Sequence, residues 1–151
     1  MKTNFDPYNL DIDTLGFYMV RTLSAMIKNL NKELKDTGLN FQHSDFTIMR
    51  ILNKKDGLTQ SELADILGKQ KSGISRSLNS LEKNGYIIRS AYNGCTNKVS
   101  LSDKGKNIIP QIDKIANHVT DIAFHGFPEK KREEMLKNLT KIYKNSRLRI
   151  S

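Results

Sequence analysis

A single cysteine and the absence of any long apolar run set the first limits on this chain of 151 residues. A lone thiol, Cys95, excludes an internal disulfide framework and fits a reducing compartment. No apolar stretch approaches the roughly 20 residues needed to cross a bilayer, so no membrane partner is expected. The opening MKTNFDPYNLDID has no apolar signal region behind its one lysine, and a cytoplasmic location is expected. Internal repeats and low-complexity linkers are also missing. The chain carries no phosphate-binding glycine loop, no nucleophile elbow and no credible Cys-His pair, so it is read as a non-enzyme without a cofactor. What is present is 37% hydrophobic residues, enough for one compact domain or two small ones closely packed.

Acidic residues are the scarcer sign of charge. Lys and Arg total 25 against 16 Asp and Glu, a formal net charge of +9 that favours a polyanionic partner without specifying a fold. The excess is uneven. Residues 61–100 set Lys69, Lys71, Arg76, Lys83, Arg89 and Lys98 against Glu62, Asp65 and Glu82, and the stretch from Lys130 onward is more basic still. For that last stretch a solvated helix face is preferred to a membrane-surface helix.

Helical periodicity dominates the two ends. Leu15, Tyr18, Met19, Leu23, Met26, Ile27, Leu30 and Leu34 recur at three- and four-residue steps between about Asp13 and Lys35, and Gly38 stops the pattern. Ser44 is placed to cap a second helix bearing Phe46, Ile48, Met49, Ile51 and Leu52, ended by Asp56-Gly57. A short helix near Ser61–Leu67 follows, capped by Thr59 or Ser61, and another from about Lys71 to Asn84. The period then changes to that of strands at Tyr86–Ser90 and Lys98–Leu101, with Tyr92-Asn93-Gly94 as the turn. Ser102-Asp103 opens a long helix carrying Ile108, Ile109, Ile112, Ile115, Val119 and Ile122, in which Pro110 is a candidate kink. Gly126-Phe127-Pro128 precedes a last helix with Met135, Leu136, Leu139, Ile142 and Tyr143. The fold class is therefore mostly α with a small β-hairpin and six main helices. The small central module cannot cover the apolar stripes of all the outer helices, so a symmetric homodimer joined by the chain ends is expected. Residues 1–40 and 103–151 form the expected dimerisation region, and 41–102 a separate binding region.

The stretch LTQSELADILGKQKSGI, Leu58 to Ile74, carries the most information. Two short helices crossing steeply need a small residue at the close approach and a residue tolerant of positive φ at the turn. Ala64 and Gly68 fill these places, and Ile74, Leu78 and Leu81 plug the second helix into the core. Gln70, Lys71, Ser72, Ser75, Arg76 and Asn79 are left on its outer side and leading end, where they can bond base edges and phosphates in a major groove. The hairpin that follows is a natural wing, with Arg89 and Lys98 supplying charge toward flanking backbone or minor groove.

LTQSELADILGKQKSGISRSLNSLEKNGYI, followed by the hairpin and VSLSDKGK, resembles the MarR family of winged helix-turn-helix transcription regulators. The resemblance extends to GLNFQHSDFTIMRIL before the motif and FPEKKREEMLKNLTKIY after it. It implies a dimer joined by terminal helices that binds double-stranded DNA at a palindromic operator. It further implies repression in many members, with release by a small and often phenolic effector. It also implies an arginine in the wing where this chain has Cys95, preceded by Asn93-Gly94. That departure keeps a second reading open: a protein-interaction or anti-regulator module of the same fold with weakened DNA binding.

Three further groups of residues have functional readings beside bland ones. Cys95 between basic residues has the setting of a redox-sensitive thiol, but a passive wing residue is favoured. His118, Asp121 and His125 share a helix face, yet the outer two lie about 10 Å apart along the axis, so polar surface is preferred to a metal site. A cleft for a small aromatic effector is expected where the first two helices meet the wing module, at Tyr18, Arg21, His43, Phe46 and Met49, although core or interface roles suit these residues equally.

Overall fold

The computed structural model describes residues 14–39, 41–94 and 96–147. Among these, the chain runs α1 (Leu15–Asp36), α2 (His43–Lys54), β1 (Leu58–Thr59), α3 (Gln60–Leu67), α4 (Lys71–Lys83), β2 (Ile87–Asn93), β3 (Thr96–Leu101), α5 (Asp103–Ala123) and α6 (Glu129–Arg147). The six expected helices and the hairpin are present. A third strand was not foreseen: β1 pairs antiparallel with β3 through Leu58–Val99 and Thr59–Lys98, giving the sheet order β1-β3-β2.

Local chemistry sets most boundaries. The Thr14 hydroxyl caps α1 by accepting from the Phe17 amide. Helix α2 departs from expectation, because its cap is Gln42 rather than Ser44. Gln42 and Asp45 form a reciprocal capping box in which the Asp45 carboxylate accepts from the Gln42 amide at 3.0 Å. Ser44 lies inside the helix, and its hydroxyl accepts from Ser77 of α4 at 3.2 Å. Of the two candidate caps for α3, Thr59 is the one used, boxed with Glu62.

The hairpin turn is displaced toward the C-terminus. Strand β2 continues through Asn93, which pairs with Thr96, and the register slips between Ala91 and Asn93. Gly94, at φ +50°, supplies the left-handed backbone that closes this tighter connection. Pro110 lies within α5, which is continuous across it.

One core joins these elements. Leu30 and Leu34 of α1 pack with Phe46, Ile48, Met49 and Leu52 of α2, the inner faces of α3 and α4, Val99 and Leu101 of β3, and Ile109, Ile112 and Val119 of α5. Burying each Leu or Ile side chain contributes about 1.5–3 kcal/mol. The two ends behave differently. Leu15, Val20 and Leu23 of α1, Ile122 of α5, and Leu136, Leu139 and Tyr143 of α6 stand exposed on this chain. No helix among the described residues is long and apolar enough to cross a membrane.

The first turn of α5 is pressed against the segment that joins α4 to β2. The Gly105 amide donates to the Ser102 cap at 3.0 Å, and a Cβ on Gly105 would overlap the Tyr86 carbonyl. The overlap is with backbone, which yields less readily than a flexible side chain. Gly105→Ala is expected to lower unfolding stability by about 1–3 kcal/mol, read as a reduced urea midpoint with an unchanged slope.

Candidate nucleic-acid interface

Helix α4 is held by one seam and free along the other. Ile74, Leu78 and Leu81 are each at most 1% exposed, and Ser77 is buried beside them. Opposite this seam, at steps of three and four, stand Ser72, Arg76, Asn79 and Lys83, all exposed. Lys71 and Gln70 are exposed at the leading end, and Ser75 is half-buried on the flank. Of the residues expected on the outer side and leading end of this helix, all but Ser75 are exposed. Lys83 extends the exposed stripe, since its spacing from Asn79 places it on the same face.

The turn that presents α4 depends on two contacts. Gly68 takes φ +60° and ψ +34°, a left-handed conformation that ends α3 while the Lys69 amide still donates to the Ala64 carbonyl at 3.0 Å. Ala64 itself is 3% exposed where the two helices approach. The Gln60 side-chain amide donates to the Lys71 carbonyl at 3.1 Å, tying the first turn of α3 to the first turn of α4. Nothing in the sequence marked Gln60, because its partner is brought close only by the turn.

The two wing cations separate. Alternation along β2 and β3 places Arg89 on the same side as the buried Ile87, facing α4, and Lys98 on the opposite side from the buried Val99 and Leu101. Arg89 donates to the Asn79 side-chain oxygen at 2.7 Å and lies 3.4 Å from the Glu82 carboxylate. Lys98 instead holds its ammonium 4.0 Å from the centre of the Tyr92 ring, a cation–π contact. Only Arg89 is joined to the outward helix. Between the wing and the start of α3 runs a polar groove of about 270 Å³ lined by Thr59, Gln60, Ser61, Arg89, Thr96 and Asn97 over the apolar floor of Leu78 and Val99. Cys95, expected to be a passive wing residue or a thiol sensor, lies outside the described residues.

The effector group does not gather around one cleft. Phe46 and Met49, at 4% and 0% exposure, belong to the core, because the apolar face of α2 is covered by neighbouring elements. Tyr18 is exposed on α1, Arg21 stacks near Phe17, and His43 is half-buried at the start of α2. A cleft of about 280 Å³ opens elsewhere, between α1 and α5, walled by Met26, Val119 and Ile122 with Lys32, Glu33 and Asp36 at its edge. On the α5 face weighed for metal, His118 lies 4.0 Å from Glu33, and Asp121 is paired with Arg132 at 3.2 Å. Among the described residues no group of three or more His, Cys, Asp or Glu is arranged to hold a metal ion.

These features define a winged helix-turn-helix DNA-binding protein, and the family comparison agrees. Residues 41–88 match the family model described as winged helix-turn-helix DNA-binding. An uncharacterized HTH-type transcriptional regulator of Bacillus subtilis, YybA, is 25% identical over 117 residues, 76% of this chain and 77% of that protein. A MarR transcriptional regulator from Methanosarcina mazei Go1 superposes with a TM-score of 0.82 at 26% identity, over 91% of this chain and 96% of that one. The crystal structure of MarR itself gives 0.84 at 26% identity, over 93% and 97%. Over most of its length the chain is similar to MarR transcription regulators.

Burial lowers the His43 pKa below 6.5, and the positive charge of Lys69 lowers it further. The folded protein thus favours the neutral imidazole, and the unfolded chain takes up its proton first. This contribution to stability is complete above pH 6.5 and is lost as the pH falls through the interval beneath that value. Urea titrations on either side of it are expected to show a smaller acid-side loss for His43→Gln than for the unsubstituted protein.

Proposed function

We propose that this protein is a MarR-type regulator, a cytoplasmic, non-enzymatic repressor that binds a palindromic operator as a homodimer. The observation that carries this reading is the polar and basic face of α4, exposed along its length opposite a fully buried seam. In that reading Lys71, Ser72, Ser75 and Arg76 make the main contacts in a major groove, with Gln70 at the leading phosphates and Asn79 farther along the same face. Arg89 and Lys98 serve the wing, Arg89 from the α4 side and Lys98 from the outer face of the sheet. The operator is palindromic because two copies related by a two-fold axis read two half-sites.

Exposed apolar residues on the first and last helices support the dimer. Leu15, Val20 and Leu23 of α1 and Leu136, Leu139 and Ile142 of α6 form faces that a second copy would cover. An effector that releases DNA would bind close to His43, which lies beside Asn31 of α1 and is the member of the expected group found where α1 meets α2 and not sealed by the core. Such a molecule would be small and aromatic, seated where α1 and the DNA-binding region adjoin, and it would act by favouring a spacing of the two recognition helices that the operator does not match.

A mobility-shift titration against DNA selected from a random pool tests the reading, with sedimentation in parallel. Arg76→Ala is expected to cost about 1–3 kcal/mol of operator affinity, and binding is expected to weaken steeply with salt as phosphate contacts release counterions. Sedimentation should report a dimer. An affinity unchanged by Arg76→Ala, or a flat salt dependence, would remove α4 from the interface.

A further inference from the structure

The contact between Arg89 and Asn79 bears on which base the recognition helix selects. Asn79 stands on the outward stripe with Ser72 and Arg76, yet its side-chain oxygen already accepts a hydrogen bond from Nη2 of Arg89 at 2.7 Å. A guanidinium has only donors, so it fixes which end of the amide faces it: the oxygen turns toward the wing and the NH₂ away from it. Arg89 is held in turn. Its Nη1 lies 3.4 Å from the Glu82 carboxylate, and its side chain is only 23% exposed. Asn79 and Glu82 are three residues apart on one helix, so a single guanidinium bridges adjacent turns of α4 from the first strand of the wing. The helix and the wing are joined there by side chains as well as by the sheet.

We infer that Arg89 is a positioning residue that makes Asn79 a donor-only reader, selecting guanine over adenine at one position of each half-site. The inference rests on the DNA-binding reading above and deepens it. A free asparagine recognises adenine by two bonds, accepting from the N6 amino group through its oxygen and donating to N7 through its NH₂. With the oxygen engaged by a cationic donor, an adenine amino group arriving at its remaining lone pair would meet a group of its own polarity. Guanine offers acceptors at both O6 and N7 and asks only for donors, which the outward NH₂ supplies. The usual assignment of asparagine to adenine is thereby reversed by a side chain that need not touch the base.

Random-pool selection with the full-length protein tests this when it is run for the unsubstituted chain, Arg89→Leu, Asn79→Ala and Asn79→Asp. The unsubstituted protein is expected to enrich guanine at one symmetric position by roughly tenfold over adenine. Asn79→Ala is expected to flatten that position and leave its neighbours intact. Arg89→Leu frees the oxygen and is expected to move the preference to adenine. Asn79→Asp keeps the shape and the guanidinium contact, protecting the wing, and turns the outward end into an acceptor, so the preference is expected to move to cytosine through its amino group. If Arg89→Leu instead weakens binding to every sequence equally and lowers the salt slope, Arg89 is an ordinary phosphate contact and the inference is overturned. An unchanged base at this position in Asn79→Asp overturns it equally, without reliance on a variant that disturbs the wing. If the unsubstituted protein enriches no sequence, the DNA-binding reading itself fails and takes this one with it.

Discussion

Burial of one seam of a thirteen-residue helix fixes everything else about the interface. Ile74, Leu78 and Leu81 lie at successive turns of α4, and each is almost wholly removed from water. Rotating α4 to hide its polar face would expose these three and bury Arg76, Asn79 and Lys83. Losing the apolar burial costs about 1.5–3 kcal/mol for each side chain, and burying an unpaired charge costs more. The orientation of the outward stripe is therefore a consequence of the core. The left-handed turn at Gly68 and the bond from Gln60 to Lys71 then set where that stripe begins.

The wing is coupled to the same helix from the other side. Sheet alternation turns Arg89 toward α4 and Lys98 away from it, so two cations adjacent across the hairpin have different surroundings. Arg89 finds Asn79 and Glu82, while Lys98 finds the face of Tyr92. A surface ion pair of this kind is worth little in stability, commonly below about 1 kcal/mol. Its consequence lies in orientation, because a held guanidinium holds the amide that faces it. At the opposite end of the molecule Arg132 has a comparable role, bonding the Phe124 carbonyl at 2.9 Å and Asp121 at 3.2 Å across the bend between α5 and α6. That bend sets the direction in which the exposed apolar face of α6 projects.

Local patterns in the sequence were legible where the physics is local. The six helices, the left-handed glycine at Gly68, the small residue Ala64 and the seam of α4 follow from spacing and backbone sterics alone. Contacts between residues distant in the chain were not. The two-residue strand at Leu58–Thr59 is too short to show a period and exists because β3 lies beside it. Gln42 displaced Ser44 as a cap because its partner Asp45 completes the box, a reciprocity that residue preference does not reveal. Phe46 and Met49 marked an apolar face correctly, but periodicity does not say what will cover such a face, and core packing covered this one. The diversion of Arg89 to α4 belongs to the same group, since a cation in a strand pattern gives no sign of the helix it will meet.

The central claim is that the outward face of α4 is the surface that meets DNA. Amide chemical-shift mapping of the isotopically labelled protein, with and without a selected duplex, tests it most directly. The largest changes are expected along Lys71–Asn79, with smaller ones in the wing and little change along α6. Changes concentrated on α1 and α6, with α4 unmoved, would contradict it.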